Sequence, residues 1–370
     1  MVKGIFVTRS SLPPFEEYCR EIEGLWTSHW LTNMGTKHEE LRRELESRLG
    51  CRHAVLFANG HLALENILAA MEFPPGGEVL TTPFTFASTT HAIVRNGLVP
   101  VFCDIRPDDY TLDARCLEAA ITDKTVAILP VHVYGHPCDT NAIGEVARRH
   151  GLKVVYDAAH AFGARFWDKS PACFGDATMF SFHATKVFHT IEGGVACVNS
   201  DDLMRRLNDL KNFGIRDAEH VAIPGGNAKM NEFQAAMGLC NLRHLQDEIA
   251  HRKTVFERYV AHLDGIPGIR LSPPPEGVES NYAYFPVALN GFGMTRDEAF
   301  DLLARHGIYA RKYFFPLTSE YDCYRNLPGI GTANTPVAAE VARNILTLPL
   351  YSDLPLTEVD RICAVLLEGE

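Results

Sequence analysis

Through its first two thirds the chain alternates short, nearly continuous runs of Val, Ile, Leu and Ala with stretches whose apolar residues recur every three or four positions. The runs Ala54–Ala58, Glu78–Thr82, Val99–Asp104, Val126–Val131, Lys153–Asp157, Ala177–Phe182 and Gly194–Val198 read as strands buried on both faces. Between most of them lie segments with a helical period: Leu62–Met71, Ala87–Asn96, Ala114–Ala120 and Thr140–His150. This alternation predicts an α/β domain with a mostly parallel sheet covered by helices. The last two runs leave no room for a crossover helix, so that end of the sheet is expected to be antiparallel.

From about Asp201 the pattern changes. Asp202–Phe213 and Asn231–Leu263 read as helices, the second long enough to link two bodies. The remainder alternates less regularly and has proline-rich joints at Ser272–Pro275 and Pro349–Pro355, which predicts a smaller α+β domain. The expected division is residues 1–245 for the large domain and 246–370 for the small one, in keeping with a length of 370.

Composition narrows the classes without choosing among them. With 46% hydrophobic and 22% charged residues the chain is neither disordered nor collagen-like. The 35 basic and 46 acidic residues give −11 with no basic block, which argues against a nucleic-acid partner. Ten scattered cysteines without a CxxC suit buried thiols in a reducing cytoplasm, not a disulfide or zinc framework. The apolar stretch from Gly4 to Val7 is too short for a secretory signal, and no run approaches the roughly 18 residues of a membrane span.

In open α/β sheets, ligands collect beyond the carboxyl ends of the strands. Here those ends carry Asn59-Gly60-His61, Pro83-Phe84-Thr85-Phe86, His132 to His136, Asp157-Ala158-Ala159-His160 and Ser181 to Lys186. Neither G-x-x-x-x-G-K-[ST] nor a strand-borne G-x-G-x-x-G is present, and Gly329-Ile330-Gly331 reads as loop. Lys186 follows a buried-looking strand among aromatic neighbours, so its amine is partly desolvated and usable as nucleophile and base. Taken alone it reads more readily as a surface lysine on a loop. Asp157 ends the neighbouring strand, and an anion there suits the ring nitrogen of pyridoxal 5'-phosphate (PLP), which must stay protonated for the ring to act as an electron sink. Gly60 to Leu62, opening a helix, and Ser181 can receive the phosphate, and Phe84 or Phe86 can cover the ring. His132, His136, Cys138 and Asp139 have metal-ligand chemistry, but Gly135 and Pro137 break the helix that would align them, so no metal is expected.

On these residues the chain resembles the fold-type I PLP-dependent aminotransferases, and among them the DegT/DnrJ/EryC1/StrS sugar aminotransferases. The resemblance is carried by Tyr156-Asp157-Ala158-Ala159-His160-Ala161-Phe162-Gly163 and Ser181-Phe182-His183-Ala184-Thr185-Lys186. Glu192-Gly193-Gly194, the stretch Thr82 to Thr89, and Gly226-Asn227-Ala228-Lys229-Met230-Asn231-Glu232 support it. It implies that Lys186 carries the cofactor and shuttles the proton, and that Asp157 pairs with the pyridinium nitrogen. Ser181 with the Gly60–His61 backbone would hold the phosphate, and Phe86 would stack on the ring. Asn227 would reach the cofactor of a neighbouring subunit, which implies a homodimer with shared sites.

The chain departs from the family's usual residues at three places. His61 stands for Thr or Ser, leaving backbone amides to hold the phosphate. His160 stands for Gln near the cofactor's phenolic oxygen, where an imidazole donates only in one tautomer. Lys229 stands for Arg, a charge without the bidentate fork. His183 and His189 flank Lys186 as packing or substrate contacts, and Arg311-Lys312-Tyr313 could meet an anionic substrate or form a solvated edge. The resemblance of Val131–Asp139 and Ala310–Leu317 is to enzymes that aminate dTDP-4-keto-6-deoxyglucose at C4, with L-glutamate as the implied donor. A 3-keto isomer, a UDP- or GDP-linked sugar, and a cyclitol stay open. So does a non-catalytic PLP-binding regulatory protein, against which the intact Lys186, Asp157 and Ser181 argue.

Overall fold

The computed structural model describes residues 4–324 and 335–368, and Gly329-Ile330-Gly331 lies outside them. The main sheet has seven strands: β1 His53–Phe57, β2 Glu78–Thr81, β3 Val99–Phe102, β4 Thr125–Leu129, β5 Lys153–Asp157, β6 Ala177–Ser181 and β7 Gly194–Val198. Their order is β1-β7-β6-β5-β4-β2-β3. All neighbours are parallel except β7, which runs against both β1 and β6. The β6–β7 connection contains no crossover helix, which fits that reversal and the sequence pattern.

Both faces of this sheet are buried, which explains the unbroken apolar runs. Val55 and Phe57 of β1 join one core, while Ala54 and Leu56 join the other. Helices α1 Phe15–Ile22, α2 Thr36–Leu49, α3 Gly60–Ala70, α4 Ala87–Arg95, α5 Thr140–His150, α6 Asp201–Lys211 and α7 Glu232–Leu263 supply the cover. The expected helix Ala114–Ala120 is corrected: it is a 3-10 turn, Ala114–Cys116, followed by one α turn, Leu117–Ala120. Asp113 accepts from the Arg115 amide and so opens a tight turn, and Ile121 is already extended.

The long helix α7 opens with a capping box. Asn231 accepts from the Gln234 amide at 3.0 Å, and the Gln234 side chain accepts from the Asn231 amide at 3.1 Å. Its first half buries Ala235, Leu239 and Leu242 against the large sheet, and its second half buries Val255, Tyr259 and Leu263 in another core. The division at residue 245 expected from sequence falls inside this helix. Glu232 also caps α2 across the chain: its carboxylate accepts from the Lys37 and His38 amides at 2.7 and 3.1 Å. A side chain at Gly35 would place its Cβ 2.7 Å from that carboxylate, so any larger residue there would displace the cap.

The second core surrounds a three-stranded antiparallel sheet, β8 Ile269–Leu271, β9 Phe285–Leu289 and β10 Ile345–Leu348, with β9 in the middle. The N-terminal segment touches both bodies. Ile5–Phe6 pairs in parallel with Ile308–Tyr309, while α1 lies on α7 through Tyr18 donating to the Phe233 carbonyl at 3.1 Å. Among the described residues no helix is long and apolar enough to cross a membrane.

Candidate active site

Because β1, β5 and β6 are parallel and β7 is not, the carboxyl ends of the first three and the start of β7 share one rim. At that rim Gly194 is the cross-strand partner of both Phe57 and Ser181. A Cβ on Gly194 would lie 2.6 Å from the Gly60 nitrogen, and a Cβ on Gly60 would lie 2.8 Å from the Ser181 Cβ. Two glycines therefore let the first turn of α3 settle directly on the sheet beside the Ser181 hydroxyl. Asn59 caps that turn by accepting from the Leu62 amide at 2.9 Å, which leaves the preceding amides available to an anion.

Asp157 ends β5 and is 4% exposed. Its carboxylate accepts from the Ala159 amide at 3.0 Å and from the Thr89 hydroxyl at 2.8 Å, and Thr89 is in turn bonded to Thr85 at 2.8 Å. Burial raises its pKa above the ordinary carboxylate range, while those two bonds and the charges of Lys186 and His61 pull the other way. A cation held against this carboxylate would stabilise its ionised form. The residues Thr82 to Thr89 thus have separate duties: Thr85 and Thr89 fix Asp157, Ser88 meets His61 Nδ1 at 2.9 Å, and Phe86 stands 58% exposed at the start of α4. Phe84 is removed as a ring-covering candidate. It is fully buried against Tyr110, Tyr134 and Phe314.

His160 has a defined tautomer. Tyr134, held in the left-handed region at φ 57°, aims its amide at His160 Nδ1 from 3.1 Å, so the ring proton sits on Nε2, free to donate. Burial and the nearby charge of Lys186 hold the imidazole neutral, well below its ordinary pKa. This meets the tautomer requirement set by the sequence. Lys186 follows β6 through a turn closed by its amide on the His183 carbonyl at 2.9 Å, and its amine donates to the Tyr284 hydroxyl at 3.3 Å. His160, Ser181, Lys186, Asn281 and Tyr284 line one pocket.

Asn281 and Tyr284 reach the site from the second body, and the sequence reading passed over both. Asn281 donates to the carbonyls of His160 and Phe162 at 2.7 and 2.9 Å, pinning the loop after β5. Their one sequence signal is a polar and aromatic cluster immediately before a strand. Tyr313 approaches Tyr284 at 6.1 Å between ring centres and accepts a bond from the Arg311 guanidinium, so that pair lies behind the pocket's Tyr284 wall.

The other candidates are outside the pocket's lining, His183 adjoining it through Thr185. Lys229 donates to Asn227 and Asn212 at 2.8 Å each and covers the Phe213 ring, beside the end of β1. His183 is exposed and bonds Thr185 at 2.8 Å, while His189 donates to the Ser11 carbonyl and anchors the N-terminal segment. His132 stacks on Tyr156 and accepts from the Cys138 amide, which is a packing role. Among the described residues no group of three or more His, Cys, Asp or Glu is arranged to hold a metal ion.

The cradle, the buried carboxylate and the neutral imidazole fit the phosphate, ring nitrogen and phenolic oxygen of PLP. Comparison with known proteins agrees. Residues 15–367 match the model of the DegT/DnrJ/EryC1/StrS aminotransferase family. A dTDP-4-amino-4,6-dideoxy-D-glucose transaminase of Escherichia coli is 43% identical over 99% of this chain and 98% of its own length. The crystal structure of DesI with its TDP-sugar product superposes with a TM-score of 0.93 at 32% identity, covering 100% of this chain and 93% of DesI. A sugar aminotransferase of Streptococcus pneumoniae in its PLP form gives 0.92 at 27% identity, covering 99% and 98% of the two chains. The chain belongs to the DegT/DnrJ/EryC1/StrS family and is a PLP-dependent sugar aminotransferase.

Proposed function

We propose that this enzyme transfers an amino group from L-glutamate to C4 of dTDP-4-keto-6-deoxy-D-glucose. The observation that carries the site assignment is the meeting of Lys186, Asp157, His160 and Ser181, drawn from β5 and β6, at the amino end of α3. The substrate assignment rests on the name of the 43%-identical relative. When bound, PLP supplies an electron sink for the carbon that gains or loses a proton.

The chain's own groups do the rest. Asp157, oriented by Thr89 and the Ala159 amide, would keep the ring nitrogen protonated. His160 Nε2–H would donate to the phenolic oxygen. Ser181 and the Gly60 and His61 amides would hold the phosphate, and Phe86 would cover the ring. Lys186 would carry the cofactor at rest and move the proton in both halves of the exchange. His183, Lys229, Arg311 and Tyr313 are the substrate-side candidates; His183 reaches the pocket wall through Thr185, and Tyr313 through Tyr284.

The working form is a cytoplasmic homodimer, with Asn227 serving the neighbouring site. Large apolar side chains exposed at Trp26, Trp30, Leu31, Phe213 and Ile215 are the kind of surface that a second copy would cover. The test is to offer glutamate with a panel of nucleotide keto sugars and identify the amino sugar by mass spectrometry. Amination of the dTDP-linked 4-keto sugar with release of 2-oxoglutarate is expected. Preference for a 3-keto or a UDP- or GDP-linked sugar would overturn the substrate, and binding of PLP without turnover would overturn the activity.

A further inference from the structure

Tyr284 sits just before β9, so the second body delivers its phenol to a site built by the first. Its hydroxyl lies 3.3 Å from Lys186 Nζ, and its ring centre 5.7 Å from the same atom. The residue is 7% exposed, with the His160 ring edge-on at 4.8 Å and Tyr134 and Tyr313 at 5.8 and 6.1 Å. The Tyr134 hydroxyl is committed to the Tyr313 carbonyl, and His160 Nδ1 to the Tyr134 amide. That leaves the Tyr284 hydroxyl as a group beside the lysine that can both give and accept a hydrogen bond.

We propose that Tyr284 is a positioning residue for Lys186, holding the lysine amine in both of its protonation states. It accepts from the ammonium and donates to the free amine. A lysine released from its covalent bond regains a flexible four-carbon stem, and a fixed partner keeps the amine near the carbon whose proton it must move. The inference rests on the assignment of Lys186 given above and extends it to a residue from the other body.

The test compares the holoenzyme with Tyr284→Phe, which keeps the ring packed on His160 and removes one oxygen. The expected kcat loss is roughly ten- to a hundred-fold, the rate equivalent of one hydrogen bond to a charged group. KM for either substrate should change less than about three-fold. The pH at which the visible absorbance of the bound cofactor titrates should move by about half a unit or more, because the Lys186 nitrogen that binds the cofactor loses its polar partner. Borohydride trapping and peptide mapping should find the cofactor on Lys186 in both proteins. Trapping at Lys186 with unchanged kcat and titration overturns the role of Tyr284 and leaves Lys186 standing. A fall in kcat without movement of the titration assigns Tyr284 to packing and overturns the proposal as well. Absence of trapping at Lys186 in the unaltered enzyme overturns the underlying assignment, and this inference with it.

Discussion

Lys186 and Lys211 make an instructive pair. Lys211 ends α6, is 1% exposed, lies over the Phe57 ring and reaches the Leu56 carbonyl at 3.4 Å. Burial pushes its pKa down to about 7, against a smaller opposing pull from Glu39. Lys186 is only half-buried, but its amine opens on the pocket that holds His160 and Ser181 and meets a phenol from the second body. Burial of a charge is a cost that a fold can carry for packing alone. Convergence of groups from separate elements on one amine is what marks a site.

The comparison can be broken most decisively at Lys186. Lys186→Ala should lower turnover by about 10⁴-fold or more, since it removes both the covalent attachment and the proton carrier. Lys211→Met should leave turnover within a few-fold, and release of 2-oxoglutarate measures both. Should Lys211→Met prove as damaging, the ranking of the two lysines is reversed.

Next in size is Asp157→Ala, which should reduce kcat on the order of a hundred-fold while PLP still binds, measured by titrating the cofactor and then assaying turnover. A third expectation concerns pH. Below about pH 7 Lys211 is charged whether folded or unfolded, and folding bears the full cost of burying the ammonium. As pH climbs from 7 toward 10 the folded protein sheds that proton first, so stability should rise through this window by a few kcal/mol at most. Urea unfolding at pH 7 and 9.5 should show the rise in the unaltered protein and a smaller one in Lys211→Met. Equal rises would place the effect on other groups. The smallest effect is expected at Gly60→Ala. Its Cβ would meet Ser181 at 2.8 Å, and lifting the first turn of α3 should weaken PLP binding roughly ten-fold and lower stability by about 1–3 kcal/mol.

Local pattern made much of this molecule legible. The seven strands lie within two residues of the expected bounds because both faces of the sheet are buried, so apolar runs end where strands end. Asp157, Ser181 and Lys186 were readable because strand ends in such a sheet share one rim. Features that depend on distant contacts were not. The choice of Phe86 over Phe84 turns on which of two near neighbours faces an aromatic cluster formed by Tyr110, Tyr134 and Phe314. The His160 tautomer is set by the amide of Tyr134, and that amide by an unusual φ no motif announces. Helix α1 was missed because its anchors, such as Glu17 with Arg243 at 2.8 Å, lie far away in sequence. Tyr284 was missed for the same reason: it is 98 positions from the lysine it touches.

The helix Glu232–Leu263 has 32 residues, which at about 1.5 Å per residue makes it a rod of roughly 48 Å. One end is fixed by Asn231 and Glu232 in the large body, and the other is buried by Tyr259 and Leu263 in the second. Adding a single residue between those anchors would turn the far end by about 100° and advance it by about 1.5 Å. Tyr284, carried by the second body, would then no longer face Lys186. Along this rod, substitutions can accumulate on the solvent side over evolutionary time, but its residue count is a gauge that the chain has to preserve.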